Sequence, residues 1–162
     1  MLTAKVTELL MDQINKELYS AYLYLDFANY YEDEGFEGFA HWYECQYDEE
    51  VEHAMKIRKY LIDNSVSVKF EAIAKPDKVF TSLAGPVKAG LEHEKYVSSL
   101  INTIDEAALE ARDFRTMEFL NWFVKEQLEE EKSATDLLTK VELIGDDAHA
   151  LLVLDGELAA RK

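Results

Sequence analysis

The sequence predicts an all-α protein: a bundle of four long helices, a long connection between the second and third, and a short fifth helix at the C-terminus. Apolar residues recur at intervals of three and four through four long stretches, which is the spacing of one helix face. The 162 residues include only six glycines and two prolines, so few positions interrupt a helix. Short turns after the first and third helices are typical of a four-helix bundle with one crossover.

The first two helices are predicted to form a hairpin. The first helix runs from Thr3 to Tyr31, Gly35 breaks the chain, and the second runs from Phe36 to Asn64. The apolar stripe of the first helix consists of Val6, Leu10, Ile14, Ala21, Tyr24, Ala28 and Tyr31. The stripe of the second consists of Phe36, Phe39, Ala40, Tyr43, Tyr47, Ala54, Ile57 and Leu61.

The helical period is lost in residues 65–82, where β-branched residues alternate and Pro76 follows. We therefore predict a long surface connection. Either Thr81 or Ser82 is predicted to cap the third helix, which runs from 83 to 112. The stripe of that helix consists of Val87, Leu91, Val97, Ile101, Ile104 and Ala108.

The fourth helix is predicted from Phe114 to Ile144, and Gly145 ends it. Its stripe consists of Phe119, Phe123, Ala134, Leu137 and Val141. The short fifth helix is predicted at 146–160 and contains four leucines, Leu151, Leu152, Leu154 and Leu158. The whole chain, 1–162, is thus expected to be one domain, with the bundle at 3–144.

The composition limits the classes of partner. A formal net charge of −16 argues against nucleic acid, and it suits either a cage or channel that gathers cations or plain solubility. Cys45 is the only cysteine, which rules out an intrachain disulfide and a cysteine-rich metal site. The N-terminus lacks a signal-peptide core, and no apolar run approaches the ~20 residues that span a bilayer. We predict a cytoplasmic protein without a membrane partner.

Polar residues interrupt each long stripe once, near the middle of its helix. They are Glu17 in the first helix, Glu50 with His53 in the second, Glu94 in the third, and Gln127 with Glu130 in the fourth. Since antiparallel helices of equal length bring their midpoints to the same level, the six side chains are expected to meet in one layer of the core.

A single buried carboxylate is already costly, and no Lys or Arg occupies the mid-stripe positions to neutralise four of them. Bound cations would explain the set, because carboxylate oxygens with one or two nitrogens suit Fe(II), Mn(II) or Zn(II). Two ions bridged by a carboxylate would use all four glutamates. Glu50 or Glu130 taken alone could lie on a solvated face; the coincidence of four helices at matching depth favours the metal site.

The chain resembles the bacterial non-haem ferritins through all five helices. The resemblance rests on INKELYSAYLY, YDEEVEHAMK, LEHEKY and NWFVKEQLEEEK, one motif in each long helix. It implies that Glu17, Glu50 and His53 hold a first iron, that Glu50 bridges, and that Glu94 and Glu130 hold a second, with Gln127 nearby. It also implies a third iron site formed by Glu49, Glu126, Glu129 and Glu130. Two aromatic residues, Tyr24 and Trp122, are expected beside the centre.

Departures from related families narrow the resemblance. Bacterioferritins repeat E-x-x-H in the fourth helix. They bind haem through a methionine directly after the second-helix glutamate that corresponds to Glu50. This chain has Gln127-x-x-Glu130 and Val51 at those positions, so no haem is expected. Rubrerythrin-like proteins need a cysteine-rich tail, and the small DNA-protecting relatives lack a fifth helix and place iron between subunits.

The resemblance implies an iron-storage protein with ferroxidase activity. Fe(II) would be oxidised by O2 or H2O2 at an intra-subunit di-iron centre, and ferric mineral would collect inside a homo-oligomer of 24 subunits whose fourfold contacts involve the fifth helix. Three alternatives stay open: a di-iron oxygenase or peroxidase of the same fold, a shell that only nucleates mineral, and a purely structural bundle.

Overall fold

The computed structural model describes residues 2–162, which form five helices and no strand. The helices are α1 (Ala4–Asp33), α2 (Glu37–Asp63), α3 (Ala84–Glu110), α4 (Phe114–Ile144) and α5 (Ala148–Ala159). The predicted all-α class and all five predicted helices are confirmed. Among the described residues, no helix is both long enough and apolar enough to cross a bilayer.

The bundle consists of two hairpins, α1 with α2 and α3 with α4, and α1 also packs against α3. Gly35, between α1 and α2, adopts φ +83°, and Gly145, directly after α4, adopts φ +63°. Both values lie in the left-handed region that favours glycine, so the two predicted helix ends are confirmed. The predicted long connection is confirmed as well, since residues 65–82 contain no helix or strand.

The core is divided into two apolar clusters. In α1, residues up to Ile14 belong to the first cluster and residues from Leu23 onward to the second. In α2 the order is reversed, because the helix runs the other way: residues up to Tyr43 belong to the second cluster and residues from Ala54 onward to the first. Polar side chains from the middle of the helices fill the layer between the clusters.

The predicted cap of α3 was wrong. Neither Thr81 nor Ser82 caps the helix by its side chain; the residue before α3 is Leu83, which makes no capping hydrogen bond. A backbone bond tightens this turn instead, because the N–H of Gly85 donates to the carbonyl of Ser82 at 3.1 Å. Such a backbone bond can satisfy a helix terminus without a polar side chain.

Four residues of the predicted stripes lie at the edge of the core, namely Phe36, Tyr47, Leu91 and Phe119. Tyr47 and Phe119 are only partly buried, whereas Gln46 and Leu120 beside them are fully buried. The step of 3.6 residues per turn moves the buried face slightly around a long helix, so a stripe read with fixed steps drifts by one position.

Helix α5 packs against the N-terminal half of α2. The start of α2 has no cap from its own sequence, and Asp155 of α5 takes this role: its Oδ1 accepts a hydrogen bond from the N–H of Phe39 at 2.9 Å. A Cβ at Gly38 would lie 1.8 Å from the carbonyl oxygen of Asp155, so this contact requires glycine. Of the four leucines of α5, Leu151, Leu154 and Leu158 are buried, and Leu152 is exposed.

Replacing Gly38 by Ala is expected to push α5 away from α2, because the new methyl group would overlap a backbone carbonyl that cannot rotate aside. Hydrogen–deuterium exchange of 148–159 should rise clearly in the variant. Gly156→Ala is the matched control: its Cβ meets nothing within 4 Å, and it should gain up to roughly 1 kcal/mol of helix stability. Unchanged protection of α5 in Gly38→Ala would mean that α2 shifts to admit the methyl group.

Candidate metal centre

Each long helix contributes buried polar side chains to the layer between the apolar clusters. All six side chains predicted for this layer are at most 5% exposed: Glu17, Glu50, His53, Glu94, Gln127 and Glu130. Each lies near the middle of its helix, and antiparallel packing brings the midpoints to one level. The structure therefore brings together the residues that the interrupted stripes singled out.

The potential ligand atoms form two adjoining groups. One oxygen or nitrogen atom from each of Glu17, Glu50 and His53 lies within 4.8 Å of the others. The same holds for one oxygen from each of Glu50, Glu94 and Glu130. Glu50 belongs to both groups, so its carboxylate is placed to be shared by two ions.

Two buried glutamines orient carboxylates of the centre. The side-chain amide of Gln13 donates to Glu17 Oε1 at 2.9 Å, and that of Gln46 donates to Glu130 Oε2 at 2.8 Å. Sequence reasoning missed both residues. Their spacing was the available signal, since Gln13 precedes Glu17 by four residues and Gln46 precedes Glu50 by four, on the same helix face.

Glu94 is held by two side chains. The Tyr24 hydroxyl donates to one of its oxygens, and Gln127 Nε2 donates to the other at 3.1 Å and to the Glu94 carbonyl at 3.2 Å. Burial, together with the nearby Glu94 charge, raises the pKa of Tyr24 well above its ordinary value. Tyr24 is therefore a neutral phenol that donates to the carboxylate.

His53 contacts carboxylates on two sides of its imidazole ring. Its Nδ1 is 3.2 Å from Glu50 Oε2 and 3.9 Å from Glu17 Oε2, and its Nε2 is 3.7 Å from Glu126 Oε1. The indole of Trp122 stands edge-on to the imidazole, with ring centres 5.4 Å apart. The two nitrogens thus face different carboxylate groups.

The cluster is deficient in positive charge. The side-chain atom Glu17 Oε2 is buried and has no hydrogen-bond partner. Within residues 2–162, no Lys or Arg forms an ion pair with the four central glutamates. Because an unsatisfied buried carboxylate oxygen is costly, this arrangement points to a cation that is held when the site is filled.

Three carboxyls of the cluster have pKa values above their ordinary range. Burial raises the pKa of Glu94 to about 7, and burial together with Glu94 raises that of Glu130 to about 8. Burial also raises the pKa of Glu50 well above its usual range. Burial acts to raise the pKa of Glu17 too, but the proximity of His53 and Glu50 outweighs it and lowers the pKa. Glu17 is therefore the carboxyl that stays ionised.

The third site implied by the resemblance is only partly assembled. Glu126 joins His53 and Glu130 in a third group of ligand atoms within 4.8 Å. Glu49 instead pairs with Arg161, whose Nη2 is 3.1 Å from Glu49 Oε2, and Glu129 is exposed and belongs to none of the three groups. The sequence contained no signal for Arg161, because its contacts depend on how α5 folds back.

The donor set limits the chemistry. Carboxylate oxygens dominate, one imidazole adds nitrogen, and thiolate is absent from the three described groups. Such a set favours hard or borderline divalent ions over copper(I), and carboxylates stabilise the higher charge that an ion acquires on oxidation. The geometry can therefore hold two adjacent ions and favour their oxidation.

Comparison with known proteins gives consistent matches. The profile of the Ferritin-like domain matches residues 7–144. The bacterial non-heme ferritin of Staphylococcus haemolyticus is 37% identical over 161 residues, which cover 99% of this chain and 97% of that protein. A probable bacterial non-heme ferritin-like protein of Haemophilus influenzae is 35% identical over 158 residues, covering 98% and 96%.

The fold matches equally well. The crystal structure of an open pore ferritin from the hyperthermophilic archaeon Archaeoglobus fulgidus superposes with a TM-score of 0.98 at 41% identity, covering 100% of both chains. An engineered closed form of the Archaeoglobus fulgidus ferritin gives the same TM-score at 42% identity, covering 100% of this chain and 99% of that one.

Proposed function

Because this chain belongs to the ferritin family, we propose that it is an iron-storage protein with ferroxidase activity at the buried carboxylate–histidine cluster. The observation that carries the proposal is the set of four buried glutamates that no Lys or Arg neutralises, with Glu17 Oε2 lacking any partner. Fe(II) is both the substrate and the cation that would satisfy this cluster.

Two Fe(II) ions fit the two adjoining groups of ligand atoms. Glu17, Glu50 and His53 would hold the first, and Glu94 and Glu130 the second, with Glu50 shared between them. Gln127 is the amide neighbour of the second ion, and Tyr24 fixes the orientation of Glu94 by its hydrogen bond. Orienting partners of this kind tune metal affinity strongly.

The reaction is a two-electron oxidation of a pair. Each of two Fe(II) ions loses one electron, and O2 takes up the two electrons and two protons and leaves as H2O2. If H2O2 is the oxidant, it takes up two electrons and two protons and leaves as two waters. The carboxylates lower the barrier because they stabilise Fe(III) more than Fe(II).

Iron binding displaces protons from the cluster, because the carboxyls with raised pKa must ionise to become ligands. Glu126, Glu49 and Glu129 would then pass a third ion toward the cavity face. The mineral would collect in a homo-oligomeric shell of 24 cytoplasmic subunits. Exposed apolar residues of α5, Leu152 and Val153, offer a surface for contacts between subunits.

Oxidation kinetics test the proposal. Fe(II) is added without oxygen, air is admitted, and near-ultraviolet absorbance is followed while light scattering measures the particle. We expect rapid ferric formation at two irons per subunit on a particle many times the 18.7 kDa chain. Ferric formation no faster than in protein-free buffer would contradict the ferroxidase assignment.

The alternatives make different predictions. An oxygenase needs an organic substrate beside the ions, yet the 540 Å³ cavity between α2 and α4 and the 230 Å³ cavity beneath the long connection are lined by residues outside the cluster. A shell that only nucleates mineral would oxidise Fe(II) slowly, with no dependence on Glu50. A purely structural bundle would not bind iron.

A further inference from the structure

Arg161, just after α5, connects the end of the chain to the edge of the metal centre. Its Nη1 donates to the Trp42 carbonyl at 3.0 Å, and its Nη2 donates to Gln46 Oε1 at 2.6 Å and to Glu49 Oε2 at 3.1 Å. One guanidinium therefore binds a backbone carbonyl, an amide and a carboxylate of α2 at the same time, as its fork of donors allows.

The contact with Gln46 reaches the cluster itself. Gln46 is 3% exposed and has both ends of its amide engaged. Its Oε1 accepts from Arg161, and its Nε2 donates to Glu130 Oε2 at 2.8 Å. Because accepting from Arg161 fixes which end of the amide faces Glu130, the arginine determines that a donor is presented to this ligand.

The contact with Glu49 places a cation where a third metal ion would otherwise be attracted. The Glu49 side chain is 41% exposed and that of Arg161 is 21% exposed, so the pair lies at the rim of the centre. The arginine is itself held in place, since His41 Nε2 donates to its carbonyl at 2.6 Å and its guanidinium lies 4.5 Å from the Trp42 ring centre.

We propose that Arg161 is a positioning residue with two opposite effects on metal binding. Through Gln46 it raises the affinity for the ion held by Glu94 and Glu130, and by pairing with Glu49 it lowers the affinity for the third ion. The inference rests on the function proposed above. Arg161 thereby increases the difference in affinity between the central pair of sites and the third site, so the central pair is occupied first.

Co(II) titration of the complete metal-free protein, followed by calorimetry and visible absorption, tests this. The step that weakens in Glu94→Gln is assigned to the second ion, and the step that weakens in Glu49→Gln is assigned to the third. In Arg161→Met, whose stem still covers Trp42, we expect the second ion to bind about tenfold more weakly, the low end of the range for loss of an orienting partner. The third should bind roughly two- to fivefold more tightly, the worth of a partly exposed ion pair.

Two further variants separate the effects. Arg161→Lys keeps the charge beside Glu49 but lacks the fork, so the third ion should return to wild-type affinity while the second stays weak. Lys162→Ala removes the same charge from an exposed neighbour and should leave both affinities unchanged.

A shift of both affinities in the same direction in Arg161→Met overturns the inference, as do two unchanged affinities. A wild-type protein that binds no Co(II) at the central pair contradicts the proposed function itself. Wild-type binding of all three ions without opposite shifts contradicts only the role of Arg161.

Discussion

Replacing Glu50 by Gln is expected to reduce the rate of Fe(II) oxidation by more than the roughly 10- to 100-fold that loss of an orienting partner costs. Glu50 is the one carboxylate present in both central groups of ligand atoms, so the substitution weakens both ions together. Stopped-flow absorbance after mixing Fe(II) with air-saturated buffer measures the rate.

The same substitution should stabilise the metal-free protein, because it removes an acid whose burial among Glu17 and Glu94 raises its pKa well above the usual range. Thermal unfolding of the chelator-treated protein tests this. Glu52→Gln, an exposed change two residues along α2, is the control that should alter neither rate nor melting temperature. Fast oxidation in Glu50→Gln would remove the proposed centre from consideration.

The metal-free protein is expected to lose stability as the pH rises from 5 to 8. Burial raises the pKa of Glu94 to about 7 and that of Glu130 to about 8 in the folded state, against an ordinary value of 4.5. In this window the folded state binds more protons than the unfolded state, so stability falls with rising pH. The loss should be on the order of several kcal/mol per subunit, given 1.36 kcal/mol for each pKa unit.

Melting temperatures of chelator-treated protein at fixed concentration across this pH range measure the effect. A divalent ion should reverse the trend, because protons compete with the ion for the same oxygens. The double variant Glu94→Gln/Glu130→Gln should show a much flatter dependence. A wild-type melting temperature that rises between pH 5 and 8 would mean that these carboxyls are already ionised in the metal-free cluster.

Much of the fold could be predicted because the stripes are long and the breakers few. The interruptions at Glu17 and Glu94 could be identified as core positions, since apolar residues flank each of them on the same helix face. That all six lie in one buried layer followed from their places in the stripes together with the similar lengths of the helices. Their role as ligands rests on the proposed function.

The contacts between elements could not be predicted. Asp155 as the cap of α2, and Arg161 as the partner of Gln46 and Glu49, join residues more than a hundred positions apart. Such pairs leave no local period in the sequence. The predicted cap at Thr81 or Ser82 failed for a local reason instead, because a backbone bond from Gly85 to Ser82 replaced the side-chain cap.

The polar layer between the two apolar clusters also bears on how the four helices choose their register. Four stripes of similar composition could pair equally well after one helix slides by a turn, a shift of ~5.4 Å. Such a slide would press the carboxylates of Glu17 or Glu94 against aliphatic side chains of either cluster, at a cost of several kcal/mol. The buried acids proposed as iron ligands thus also disfavour misaligned bundles while the chain folds.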